Sequence, residues 1–133
     1  MKENPETRSR IMRAVKGEDT TPELAVRRLI FAMGYRFRLH RKDLPGKPDL
    51  VFPGKQKVIF VNGCFWHGHG CARGARLPKT NADYWRSKIA RNRFRDAANT
   101  EDLKSQSWRV ATVWECELRE LTRLRLRLAR FLK

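Results

Sequence analysis

The apolar run Val58-Ile59-Phe60-Val61 leads without a break into Asn62-Gly63-Cys64-Phe65-Trp66-His67-Gly68-His69-Gly70-Cys71. A short, continuous apolar stretch of this kind reads as a buried strand. The segment after the run is unlike an ordinary connection, because two of the chain's three cysteines and two of its three histidines lie there beside a Phe-Trp pair. Metal ligands, an imidazole and two flat rings therefore emerge together from one strand end. The fold must supply a sheet behind that loop and something for the loop to close against.

The flanking sequence supplies candidates. Arg8, Arg10 and Arg13 alternate with Ile11, Met12 and Val15 at helical spacing, which suggests a short basic helix over Thr7 to Val15, ended by Gly17. Thr20-Thr21-Pro22-Glu23 is a helix start: with Thr20 as N-cap, Glu23 completes a capping box, and with Thr21 as N-cap, Pro22 takes the favoured first position. Leu24, Leu29 and Ile30 give that helix its apolar face, and Gly34 ends it. Tyr35 to Leu39 alternates with period two, as a half-exposed edge strand would. The turn cluster Asp43 to Pro48 delivers Asp49 to a second strand, Leu50-Val51-Phe52, and Pro53-Gly54 turns the chain into the third, Val58 to Val61. Asn81-Ala82-Asp83 can cap a long helix through about Lys104, with Trp85, Ile89, Phe94 and Leu103 as buried candidates. Trp108 to Glu115 reads as a strand. Leu118 to Leu132 reads as a final helix, although the Arg-Leu alternation from Arg123 to Leu128 also suits a strand. The pattern is that of one α/β domain over 1–133 with a mixed sheet, in which 1–17 form a basic N-terminal arm.

Charge narrows the partner. Thirty Lys and Arg stand against fourteen Asp and Glu, a net charge of +16, far beyond what solubility needs. Such a field draws in polyanions, and nucleic acid is the expected partner. No run of about 18 apolar residues could span a bilayer, and the polar start Met1-Lys2-Glu3-Asn4-Pro5 is no signal peptide. An odd number of cysteines fits reduced thiols better than a disulfide framework, hence a cytoplasmic protein. No second apolar seam is evident, so a monomer is expected.

Cys64, Cys71 and one histidine are three ligands of a tetrahedral zinc site, and Cys116, just past the strand ending at Trp114, is the remaining cysteine. If that strand pairs near the one ending at Val61, both ends meet at one ion and the loop is stapled to the sheet. Spacing leaves open whether His67 or His69 is the ligand. The plainer reading is of cysteines that act as small apolar residues. Asp49, where a turn meets a strand, could hold Mg²⁺ through a carboxylate oxygen, with a backbone carbonyl of the adjacent strand as a second ligand. His67 could then take a proton from water. The plainer alternatives are a turn cap for Asp49, a polar loop residue for His67, and a structural or phosphate-facing role for His40.

These runs, with Thr7 to Val15, Leu44-Pro45-Gly46-Lys47-Pro48-Asp49, Tyr84 to Asn92 and Trp108 to Cys116, resemble the very-short-patch repair (Vsr-type) DNA mismatch endonucleases over nearly the whole chain. The resemblance implies a restriction-endonuclease-like fold: a mixed central sheet flanked by helices, with a structural zinc site. It implies a bacterial, nucleoid-associated enzyme that nicks 5′ to the thymine of a T:G mispair arising from deaminated 5-methylcytosine. Carried over by motif, Asp49 and the carbonyl of Val61 would hold Mg²⁺, His67 would be the general base, and Glu23 a supporting acid. Cys64, His69, Cys71 and Cys116 would hold Zn²⁺. Met12, Phe65 and Trp66 would wedge into the base stack, and Lys88 and Asn92 would read the wobble pair. Asn62 stands where the family's best-known pattern has a histidine, so phosphate contact would fall to its amide or to the arginines. Contacts with mismatch-repair proteins are a further implied possibility. The rival readings are a zinc-stapled DNA-binding module without catalysis, in which a carboxylate aimed at phosphate would serve nothing, and a related nuclease of different specificity.

Overall fold

The computed structural model describes residues 19–65, 69, 71 and 80–133. The expected N-terminal helix with Met12, and Trp66 and His67 of the loop, lie outside the described residues. Helix α1 spans Thr21–Ala32, with Thr20 as its N-cap and the Thr20 hydroxyl accepting from the Glu23 backbone N–H at 3.4 Å. Only half of the anticipated capping box forms, because the Glu23 carboxylate turns to Arg27 and His40 instead. Met33 caps the helix and Gly34, at φ +95°, takes the left-handed conformation that ends it.

Strands β1 (Arg38–Leu39), β2 (Leu50–Phe52), β3 (Lys57–Asn62) and β4 (Arg109–Trp114) form one sheet in that order. The first two pairings are antiparallel and the third is parallel, so the sheet is mixed. The edge strand is shorter than the alternation of Tyr35 to Leu39 suggests. Arg38 pairs with Val51 and Leu39 with Leu50, so Phe37 falls opposite Phe52 and a β1 reaching back to Tyr35 would need partners at Pro53 and Gly54. There Pro53 opens a 3-10 turn over Pro53–Lys55, and Phe37 packs edge-on against Phe52 instead, with ring centroids 6.1 Å apart.

Period-two alternation sends β2 and β3 side chains to opposite faces. Leu50, Phe52 and Ile59 face one core, covered by Val26 and Ile30 of α1 and by Leu124, Leu128 and Leu132 of the last helix. Val51 and Val58 face the other, covered by Leu103 of the long helix α2 (Ala82–Ser105) with Leu44 beside it. The result is a sheet with helices on both faces. Asn81 sits at the N-cap of α2 with φ +59°, and its side chain makes no capping bond. Ile89 and Leu103 of α2 are buried, Trp85 is half-buried, and Phe94 is 79% exposed. Phe94 was a core candidate on hydrophobicity alone. It stands five residues beyond Ile89, about 140° around the helix from that buried face.

The Arg-Leu alternation resolves as helix α3, Leu121–Leu132. Leu124, Leu128 and Leu132 recur at helical spacing and are buried, whereas Leu126 is 59% exposed. A strand would have put Leu124, Leu126 and Leu128 on one face. Leu128→Ala should cost about 3–5 kcal/mol, the range for emptying a closed leucine site. It should lower the urea midpoint without changing the slope of the transition.

Candidate active site and thiol–histidine cluster

The parallel register Val61↔Val113 and Asn62↔Trp114 brings the ends of β3 and β4 level. Cys64 and Cys116 come just after those ends, and their meeting results from this pairing. The loop folds back through a bond from the His69 backbone N–H to the Cys64 carbonyl, 2.9 Å. The ligand atoms of Cys64, His69, Cys71 and Cys116 then all lie within 4.8 Å of one another, with Cys116 Sγ 3.5 Å from His69 Nδ1. Of the two histidines that spacing left open, His69 is in the cluster, its ring stacked on Trp114 at 4.2 Å and 12°. Cys64 is fully buried. Burial pushes its thiol up to about 12, and the neighbouring Cys71 and Cys116 thiols add to the rise against an opposing backbone hydrogen bond from Cys116. Buried thiols packed this closely repel one another once ionised, and a bound cation reverses that cost. Tetrahedral zinc, with Zn–S bonds of about 2.3 Å, needs a ligand cage of this size and a donor set of this softness.

The 3-10 segment Glu115–Arg119, which carries Cys116, is braced from behind. Glu117 accepts from the Trp114 backbone N–H at 3.0 Å and from Arg127 Nε and Nη2 at 3.1 and 2.9 Å, while Arg127 Nη2 also donates to the Thr112 carbonyl at 2.8 Å. Helix α3 thereby clamps the end of β4.

Close by, Asp49 opens β2 after a loop whose Gly46, at φ +77°, lies against α2. A Cβ there would be strained by that φ and would meet the Asn99 side chain at 2.9 to 3.1 Å, which favours glycine. Asp49 Oδ2 accepts from the Val61 backbone N–H on β3, 2.6 Å away. That bond crosses the sheet, so Asp49 does more than cap its own turn. Burial above all, aided by a hydrogen bond with Glu23 and that residue's charge and opposed by the Val61 N–H and His40, pushes the Asp49 carboxyl up to about 7. Glu23 reaches the same place from α1 and is 2% exposed. A carboxyl from α1, a carboxyl from β2 and the backbone of β3 thus converge at the strand end that also carries the thiol loop. Hard oxygen donors set close together at a largely buried strand end suit a divalent cation such as Mg²⁺. Asn62, the next residue on β3, is buried.

Phe65 packs edge-on against Trp85 of α2, ring centroids 5.5 Å apart, and Trp85 packs on Tyr84 at 5.1 Å. Lys88 Nζ stands 5.8 Å from the Tyr84 ring and 6.0 Å from the Trp85 ring. Asn92, one turn further along, is half-buried, and Arg86, Arg91, Arg93 and Arg95 are exposed on the same helix. The residues expected to wedge and to read are therefore grouped as far as they are described: Phe65, Lys88 and Asn92 share one neighbourhood. Sequence reasoning passed over Arg27, although its spacing of four from Glu23 on a helix was legible. It also passed over the Glu117–Arg127 brace, which no local pattern signals.

Residues 2–73 match the family model described as DNA mismatch endonuclease Vsr. The chain is 54% identical over 129 residues to the type II nicking enzyme V.XorIIP of Xanthomonas oryzae pv. oryzae, covering 97% of this chain and 94% of that one. It is 42% identical over 113 residues to the DNA mismatch endonuclease Vsr of Escherichia coli, covering 85% and 72%. Among solved structures, the catalytic domain of the homing endonuclease I-Bth0305I is similar with a TM-score of 0.57 at 21% identity, covering 85% of this chain and 94% of that domain. That likeness is one of fold, a restriction-endonuclease-like mixed sheet flanked by helices.

Proposed function

From the chain's membership of the DNA mismatch endonuclease Vsr family, which makes it a DNA endonuclease, we propose that it nicks one strand of duplex DNA 5′ to the thymine of a T:G mispair. In this reading Asp49 and the Val61 carbonyl hold Mg²⁺, with Glu23 as the supporting acid. When bound, the ion supplies positive charge to the phosphodiester and its leaving oxygen. His67 accepts the proton of the attacking water, and the Asn62 amide hydrogen-bonds the phosphate. The Cys64, His69, Cys71 and Cys116 cluster holds Zn²⁺; four protein ligands leave it no open position, so its part is structural.

Specificity follows from cost. Unstacking a base step takes a few kcal/mol, and least at a mismatch, so apolar insertion by Met12, Phe65 and Trp66 favours mispaired sites. Lys88 and Asn92 donate to wobble-pair oxygens that a Watson–Crick pair presents differently. The exposed arginines of α2 contribute phosphate contacts that strengthen binding without selecting sequence. What supports the reading most is the convergence of Asp49, Glu23 and the β3 backbone at one strand end, because a module that only binds DNA gains nothing from carboxylates turned toward phosphate.

The test is a set of labelled duplexes, T:G beside C:G in varied flanking sequence, incubated with protein and Mg²⁺. Nicking of the T:G strand alone, and only with Mg²⁺, is the expected result. Tight binding with no nick would leave a DNA-binding module, and equal cutting of both duplexes would leave a nuclease without a repair role.

A further inference from the structure

Three local irregularities meet at Glu23. His40 comes directly after β1 in the left-handed region at φ +47°, unusual for a residue with a side chain. The Arg27 Nε–H is buried with no hydrogen-bond partner among the described residues. Arg27 Nη2 is shared between two carboxylates, those of Asp19 and Glu23. Departures of this sort, found together, gather at functional sites.

We propose that Arg27 and His40 are positioning residues of the nicking reaction, holding the Glu23 carboxylate in place beside Asp49; this rests on the reading of Asp49 as the catalytic carboxylate. Both bonds end on one oxygen. Arg27 Nη2 donates to Glu23 Oε2 from one turn along α1, and His40 Nε2 donates to the same atom at 2.9 Å. Glu23 also shares a side-chain hydrogen bond with Asp49, so the carboxylate that Arg27 and His40 hold is the one beside Asp49. Arg27 carries only donors, so its 3.4 Å approach to His40 Nε2 is a contact and not a second bond once that nitrogen's proton points at Glu23. His40 also donates its backbone N–H to the Asp49 carbonyl at 3.3 Å. One residue thus ties both acid-bearing segments together, its main chain to β2 and its ring to α1. The left-handed turn is what lets a single residue do both, since an extended backbone would carry the ring onward with the strand. Buried carboxylates this close tend to swing apart, and a guanidinium on one with an imidazole behind it opposes that swing.

The experiment compares zinc-loaded native protein with Arg27→Ala, Arg27→Lys, His40→Asn, Glu23→Gln and the Glu23→Gln/Arg27→Ala double variant. Asparagine tolerates the left-handed region, so His40→Asn removes the imidazole and keeps the backbone, which covers the case in which Arg27→Ala does not fold. The readouts are kcat and KM on the T:G duplex, DNA affinity, and Mn²⁺ binding followed by paramagnetic resonance of the free ion. Arg27→Ala and His40→Asn should each lower kcat and weaken Mn²⁺ binding by about 10–100-fold, the range seen when partners that orient metal ligands are lost. KM and DNA affinity should stay within about twofold, and Arg27→Lys should recover part of the loss by keeping the charge. Adding Arg27→Ala to Glu23→Gln should change kcat by no more than about twofold, because Arg27 acts through Glu23. Effects that multiply in the double variant, or a change confined to KM and DNA affinity, would overturn the proposal by making Arg27 a DNA contact. Should the native protein bind the duplex without nicking it, the reading of Asp49 fails by itself, and the Mn²⁺ measurements still decide whether Arg27 and His40 organise the acidic cluster.

Discussion

Asp49→Asn will reduce nicking of a T:G duplex by about a thousandfold or more while leaving the duplex bound. The expectation rests on what one carboxylate does here. Positive charge at a phosphodiester in a site shielded from water contributes several kcal/mol to its cleavage, and each 1.36 kcal/mol is tenfold in rate. An amide of the same shape keeps the packing and gives up the anionic ligand. Binding should persist, because DNA affinity comes chiefly from Lys and Arg on phosphates, and removing a negative charge near the backbone can only help it. Nicking that survives within about tenfold of native would move catalysis away from this strand end.

The same substitution has a signature in pH that activity alone would not reveal. Burial first, and Glu23 after it, push the Asp49 carboxyl up to about 7, well above a carboxylate in an unfolded chain. The folded state therefore holds this proton more tightly than the unfolded state does. The stability it contributes is complete below the unfolded carboxylate range and is lost as pH rises toward about 7. Asp49→Asn should melt higher than native protein at pH 8 in the absence of divalent ions, and the difference should vanish near pH 4. Nicking by the native protein should rise through the same interval, because the carboxyl must give up its proton before it can hold a cation. A flat difference in melting temperature across that range would mean that Asp49 carries an ordinary, ionised carboxylate.

Cys116→Ser, or stripping the protein with a strong chelator, should lower the melting temperature by about 10 °C or more. Losing a structural metal belongs to the small class of changes that cost more than about 4 kcal/mol, and for a domain of this size each kcal/mol moves the midpoint by roughly 2–5 °C. Cys116 is the informative ligand to remove, because it comes from the end of β4 while the other three come from the loop after β3. Its loss leaves the loop sequence intact and cuts only the cross-strand tie. Trp114, stacked on the His69 ring, supplies a direct readout, since its fluorescence should change as the ion leaves. Uptake at pH 7 should also release protons, because the Cys64 thiol is held near 12 without an ion and must ionise to bind one. A chelated protein that melts with the native one would reduce the cluster to packed thiols. Mismatch selectivity should fall along with stability, as Phe65 is carried on the same loop and reaches Trp85 only while that loop is folded back.

Much of the architecture was legible from neighbours in the chain. The apolar runs at Leu50–Phe52, Val58–Val61 and Val110–Val113 became strands, and Thr20 and Gly34 bounded the first helix where capping chemistry places them. Other features depended on partners far along the chain. The alternation of Tyr35 to Leu39 was sound as a pattern, yet the ladder covers only Arg38–Leu39, and Tyr35 and Arg36 would fall opposite Gly54 and Pro53, beyond the end of β2. The Arg-Leu repeat was compatible with two periods, and only the buried seat offered by the sheet to Leu124, Leu128 and Leu132 selected the helix. Glu23 read as half of a capping box, but a pair of partners off its own turn took the carboxylate away.

The sequence by itself determined the central strands and the first two described helices, which residue types could ligate a soft ion or hold a hard one, and a charge of +16 that calls for a polyanion. Those properties depend on side-chain chemistry and on periodicity over a few residues, where the local backbone dominates the energy. The tertiary structure alone decided that Cys116 reaches His69 across the β3–β4 register, that Asp49 bonds to the backbone of Val61, and that His40 turns back to Glu23, 17 residues away in the chain. Each of these meetings depends on strand register, a left-handed turn or the docking of a helix on a sheet. Such terms arise from the packing of segments distant in sequence, and no short run of residues encodes them.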